Sequence, residues 1–294
     1  MINPISSRLK LIMGFKMQKV IKILLHPLAI ALFCGCMSSE RVALNDLNTL
    51  KTDSKIIRLR DRAPLQFNEF INELSNVDVL VIGELHENKN HKAAEILLIE
   101  TLATIKNLDV AFEMISSEKQ PLIDKAYADT IPPENLLSAI NWDKSWSVSH
   151  YGDIVKSAYK TANLKAANLS KNEINTIFAG AEPIKGDVST TKGVKDKIKE
   201  GIELSHGKMD DKTLAAFIQA QQYKDRRMAD VLNRANNSTL LIAGSLHTFK
   251  DVGVPLHLID FKTKKRVKVL ILGSDDYEQG AIDSTKADYI WNFK

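Results

Sequence analysis

Short apolar runs alternate with helical patterns along most of this chain. Val77 to Ile82 is rich in β-branched residues and closed by Gly83, which predicts a strand buried on both faces. A polar group follows, Glu84, His86, Glu87, Asn88 and His91. Lys92 to Lys106 is then dense in Ala, Leu, Ile and Glu with neither Gly nor Pro, which predicts a helix with Asn88 or Asn90 as its N-cap. Before this stretch, Ile56 to Leu59 reads as a first strand. Pro64 to Leu74 reads as an amphipathic helix through Leu65, Phe67, Phe70, Ile71 and Leu74. After it, Leu108 to Met114 predicts a second buried strand, and Ser116 and Ser117 open a helix that runs to about Ala128. Pro132 and Pro133 break the chain. A short helix over Glu134 to Ile140, a helix over Asp153 to Ala162, a weaker strand over Leu164 to Leu169 and a helix over Lys171 to Phe178 capped by Ser170 complete the first half.

Strands that alternate with helices argue an α/β fold, with a parallel or mostly parallel sheet flanked by helices. The rhythm breaks over residues 181–236, which are helical in pattern and rich in Lys, Asp and Gln. They predict a smaller helical subdomain inserted between α/β segments 56–180 and 237–294. Thr239 to Ala243 restores the rhythm as a strand followed by Gly244-Ser-Leu-His247. Pro255 to Phe261 and Arg266 to Leu272 read as two further strands joined in an edge hairpin through Lys262 to Lys265.

The formal charge of +4 changes meaning once its position is seen. The first 35 residues hold Arg8, Lys10, Lys16, Lys19 and Lys22 and no acid, and without them 35 basic residues face 36 acidic ones. That balance leaves no case for a nucleic-acid partner. Lys19 and Lys22 precede an apolar run, Ile23 to Phe33, too short to span a bilayer and followed by Gly35-Cys36, which predicts a signal peptide over residues 1–35. Its end, Leu32-Phe-Cys-Gly-Cys36, resembles a bacterial lipobox, with Phe33 where Leu is the usual choice, and Met17 offers a second start. The resemblance implies a lipoprotein acylated on Cys36, with residues 36–55 as a tether. With Met37 after the cysteine, it implies an outer-membrane lipoprotein facing the periplasm. Cys34 leaves with the signal and Cys36 carries lipid, so the body has no thiol for disulfides, thiolate metal sites or nucleophilic catalysis.

Glu84, His86, Glu113, Asn168 and His247 all fall at or just past the ends of predicted strands. In a parallel sheet they share the carboxyl edge, where open α/β sheets bind ligands. A carboxylate beside two imidazoles serves either a divalent cation or acid–base chemistry, and spacing alone does not separate these. His91 either joins the group or faces solvent. Two of the three tryptophans lie in Trp142-Asp-Lys-Ser-Trp146-Ser-Val-Ser-His150-Tyr151, which is either a core plug or an apolar wall for a planar ligand with a phenol at its lip. His206 and Lys208 are cations of the kind that meet carboxylates, in what reads more simply as a solvated turn.

Together Gly83-Glu-Leu-His86, Phe112-Glu-Met114, Trp146 with Tyr151, Ala167-Asn168, Gln222-Tyr-Lys-Asp-Arg-Arg-Met-Ala229 and Ala243-Gly-Ser-Leu-His247 before Gly253-Val-Pro255 stand in the order of the ChaN-like haem-binding lipoproteins, which this chain resembles over residues 56–272. The resemblance implies a binding role in iron and haem uptake rather than catalysis. It implies iron-regulated expression, haem as cofactor, and a homodimer that forms on haem binding with two haems face to face. It further implies one tyrosinate ligand per iron and a His and a Lys of the other protomer on the propionates, beside a haem receptor in the outer membrane. Carried over, these roles fall on Tyr151 for the iron, with Tyr159 and Tyr223 as rivals, and on His206 and Lys208 for the propionates. The wider superfamily is similar in its Gly-Glu and Gly-His elements to erythromycin esterases and to TraB and Tiki metalloproteases. That likeness implies a rival reading as a hydrolase using Glu84, His86, Glu113 and His247. A third reading is a lipid-anchored adaptor.

Overall fold

The computed structural model describes residue 50 and residues 53–274 and 282–293. The expected signal segment, Cys36 and most of the tether lie outside the described residues. Among the described residues no helix is long and apolar enough to cross a membrane.

Among the described residues eight strands form one sheet: β1 Ser54–Arg58, β2 Ala63–Leu65, β3 Val79–Glu84, β4 Leu108–Ser116, β5 Asn163–Asn168, β6 Ser238–Gly244, β7 Val267–Ser274 and β8 Tyr289–Phe293. Their order is β2-β1-β8-β7-β3-β6-β4-β5. The six strands from β8 to β5 run parallel, while β1 is antiparallel to β8 and β2 to β1. The α/β expectation therefore holds, with the antiparallel ribbon added at one side. All six residues of β3 are buried, because the strand lies between β7 and β6 with helices on both faces.

The helices are α1 Phe67–Ser75, α2 Lys89–Ala103, α3 Gln120–Ala128, α4 Leu136–Ala139, α5 Val148–Thr161, α6 Lys171–Phe178, α7 Lys192–His206, α8 Asp211–Arg234, α9 Ser245–Thr248 and α10 Val254–Asp260. On one face of the sheet Phe70, Leu74, Leu98, Leu102, Ile123 and Ile154 from α1, α2, α3 and α5 close over Leu80, Ile82, Val110 and Trp291. On the other face Val194, Ile198, Leu214, Met228, Leu232 and Leu258 from α7, α8 and α10 cover Val79, Val81, Leu241 and Val269. The predicted helical segment 181–236 thus contributes α7 and α8, and their apolar stripes share one core with the sheet. α2 is buried on nearly every side, and Asn88 caps it by accepting the N–H groups of Asn90 at 2.9 Å and His91 at 3.3 Å.

Two strand expectations need correction. Residues 255–261 are not a strand: α10 occupies them, with Pro255 in its first turn, where a missing N–H costs nothing, and with Val254 and Leu258 buried one turn apart. The run 266–272 is a strand, β7, but it lies between β8 and β3 and not at an edge hairpin. β8 had no counterpart in the pattern. It closes the first core through Trp291, which packs against Phe67 at 5.7 Å and Phe70 at 6.2 Å between ring centroids.

The outer edge of β5 is covered by side chains. Gln120 Oε1 accepts the N–H of Ala166 at 2.8 Å and the Tyr127 hydroxyl accepts that of Leu164 at 2.9 Å. The backbone donors that an open edge would offer to another strand are thereby occupied.

Candidate functional site

The carboxyl edge gathers the residues expected there. Glu84 ends β3, His86 follows in the turn, Glu113 lies near the end of β4, Asn168 ends β5, and His247 sits in α9 just past β6. The turn after β3 is held by His91, which neither joins the group nor meets solvent. Fully buried, it accepts the N–H of Leu85 on Nδ1 at 3.0 Å and donates from Nε2 to the carbonyl of Gly273 at 3.3 Å. Burial pushes it down to about 4, so it works as a neutral bracket. Gly244 leaves room for the His86 ring, since a Cβ there would stand 3.0 Å from His86 Nε2 and the ring would have to give way.

Two polar assemblies share this edge. In the first, Tyr151 donates its hydroxyl to Glu84 Oε1 at 2.5 Å, and His86 Nδ1 lies 2.8 Å from the same oxygen and 2.7 Å from the phenol. Lys92 pairs with Glu84 Oε2, lies 4.4 Å from the Tyr151 ring centre and stands 3.6 Å from Glu95. Burial outweighs the pull of Glu113 and keeps His86 below the ordinary imidazole range. In the second, His247 donates from Nδ1 to Asp225 at 2.5 Å and from Nε2 to Glu113 Oε1 at 3.2 Å. Burial opposes its charge, but Glu113 and Asp225 prevail and push His247 up to about 9. Glu113 also accepts the N–H of Gly244 at 2.8 Å, and Asn168 donates to the carbonyl of Glu113 at 2.7 Å. The edge therefore holds a neutral imidazole, His86, and a cationic one, His247. Among the described residues no group of three His, Cys, Asp or Glu side chains converges as a metal site.

Trp146 caps the first assembly, its ring edge-on 5.0 Å from His86 and 5.6 Å from Tyr151. The tryptophan segment is thus a plug over the polar group. This placement opposes the assignment of Tyr151 to haem iron. Tyr151 is 1% exposed, its hydroxyl is committed to Glu84, and burial with Glu95 and Glu113 nearby raises its pKa far above that of a free phenol. Tyr159 is also buried and donates to the carbonyls of Ala126 and Ile131. Tyr223 differs: on α8 it is half-buried, and its hydroxyl donates at the surface to the carbonyl of Glu182 at 2.6 Å.

His206 and Lys208 are exposed at the end of α7. The His206 ring lies 5.5 Å from Phe217 of α8, which meets Phe178 edge to face at 5.3 Å. Phe178 is 43% exposed, so this surface is both aromatic and cationic. Such a surface fits an amphiphilic porphyrin, whose ring seeks apolar cover and whose carboxylates seek cations.

The sequence profile of the family described as haem-binding uptake, Tiki superfamily, ChaN matches residues 70–258, and this chain belongs to that haem-binding family. A solved structure described as cofacial heme binding to ChaN of Campylobacter jejuni is similar at 38% identity with a TM-score of 0.77, over 82% of this chain and 97% of that one. An erythromycin esterase EreC mutant in its open conformation is similar at 13% identity with a TM-score of 0.45, over 74% and 77%. No curated protein matches.

Sequence reasoning missed Lys92, Glu95 and Asp225. For the first two the signal was present: charged residues inside a helix otherwise apolar on every side must be buried or paired. Asp225 lay inside the segment that carried the resemblance, but nothing in its spacing tied it to His247.

Proposed function

We propose that this protein is a haem carrier anchored by lipid at Cys36 in the bacterial outer membrane. In this reading two copies enclose a cofacial haem pair against the surface formed by α6, α7 and α8. The observation that carries it is the aromatic and cationic patch of Phe178, Phe217, His206 and Lys208, on a chain whose family binds haem. The Campylobacter jejuni protein with cofacial haem supports the paired arrangement. Tyr223 holds the iron, because among the three phenols considered it alone has a hydroxyl at the surface. Bound ferric iron would supply the positive charge that displaces the phenolic proton. His206 and Lys208 meet the propionates of the haem held by the partner. A single axial ligand leaves one haem face apolar and open, which favours stacking on a second haem.

Haemin titration of the soluble body tests this. The expected result is a Soret band of phenolate-ligated ferric haem, lost in Tyr223→Phe and kept in Tyr151→Phe, with the sedimenting mass doubling on loading. Loss of the band in Tyr151→Phe alone, or loading without change of mass, would overturn the ligand or the dimer respectively.

A further inference from the structure

The haem surface makes no use of the buried charges beneath Trp146, and those charges are not balanced. Glu84 and Glu95 share one ammonium, that of Lys92. Glu95 is 0% exposed, and among the described residues neither of its oxygens has a hydrogen-bond partner, Lys92 standing 3.6 Å away. Two carboxylates beside one cation leave a full negative charge in an apolar space unless one carboxyl keeps a proton. The groups that face this site are Glu84 from β3, His86 and Glu87 from the following turn, Glu113 from β4, Lys92 and Glu95 from α2, Tyr151 from α5, Lys224 from α8 and His247 from α9.

Over them lies the segment 141–147. Within it Trp142 Nε1 donates to the carbonyl of Trp146 at 2.9 Å and the Ser145 N–H to Asp143 at 2.9 Å, while at its start the Trp142 N–H donates to the carbonyl of Leu137 at 2.8 Å. It begins at Asn141, whose φ of 50° lies in the left-handed region. A small recess of about 10 Å³, lined among others by Met114, Ile140, Asn141 and Trp142, lies against it. The segment meets the edge beneath through Trp146, seated on His86 and Tyr151, and through Trp142, whose ring centre lies 6.4 Å from that of Tyr151.

We propose that residues 141–147 form a lid over the carboxyl edge, and that one proton shared by the Glu84, Lys92 and Glu95 group decides whether it is shut. With Glu95 protonated, Lys92 neutralises Glu84, Tyr151 and His86 stay bonded to that carboxylate, and Trp146 rests on them. Loss of the proton draws Lys92 toward Glu95 and leaves Glu84 without its cation. Water then enters to solvate the excess charge and the Trp146 contact breaks. Burial pushes Glu95 up to about 7 against the opposing pull of Lys92, which puts the switch near neutrality. An open lid exposes His86 and Tyr151 to a small polar ligand at the edge.

Acrylamide quenching of tryptophan fluorescence in the haem-free chain tests the lid, independently of any haem site. As pH rises from about 6 to about 8, quenching is expected to increase in the parent and in Trp142→Phe. The increase should vanish in Trp146→Phe and in Glu95→Gln, which cannot ionise. A flat parent profile, or a rise that persists in Glu95→Gln, overturns the proposal. Should Glu95→Gln fail to fold, the carboxyl carbon shift of Glu95 in the labelled parent decides instead: titration in step with the quenching supports the lid, and titration at a different pH overturns it.

Discussion

His247 and Glu95 carry opposite electrostatic signatures within one polar edge. His247 lies between two carboxylates and remains cationic well above the ordinary imidazole range. Histidine NMR is expected to show one ring titrating near 9, and Glu113→Gln should lower that value, because one of the two stabilising charges is gone. Glu95 works the other way. Its ordinary value of 4.5 is raised to about 7 by burial, so between these limits the folded chain keeps a proton that the unfolded chain has lost. Stability should therefore fall as pH rises through that window, and urea unfolding of Glu95→Gln should lack this slope. Gly83 is a steric case. A Cβ there would stand 2.6 Å from the Ile271 side chain and 3.2 Å from the Ser245 backbone, so Gly83→Ala should cost about 1–3 kcal/mol in chemical denaturation. Glu84, His86, Glu113 and His247 were legible in the sequence because each follows a strand with clear periodicity. Their pairing was not, since Asp225 and Lys92 come from helices whose rotation only the packed structure defines.

Among the elements, period and punctuation separate what could be read in advance from what could not. β3, β4 and β6 were legible because a strand buried on both faces is a short, largely apolar run without alternation. α10 was misread because a seven-residue apolar stretch satisfies either period, and Pro255 in its first turn was the cue that favoured a helix. β8 was passed over although Trp291 is buried completely between Phe67, Phe70 and Phe293. Trp291→Ala should lower stability by about 3–5 kcal/mol in thermal or urea unfolding and loosen the β1–β2 ribbon that pairs with β8. α7 and α8 were legible as helices. Their role as the second cover of the sheet was not, because a polar face turned to solvent resembles a separate helical unit until its apolar stripe meets the strands.

At the scale of the whole molecule, the chain combines a doubly covered sheet with a partly exposed aromatic surface on the helices of one side, where the proposal puts the haem. If haem joins two copies there, thermal stability should rise with added haemin and with protein concentration together, as mass action requires of a ligand bound only by the folded dimer. The covering of β5 by Gln120 and Tyr127 gives this a direction. With those amides spoken for, a second molecule cannot extend the sheet by edge-to-edge pairing on that flank. If two copies meet through haem on the helical flank, as proposed, that contact lasts only while the porphyrin stays, and sheet growth on the β5 side does not compound it.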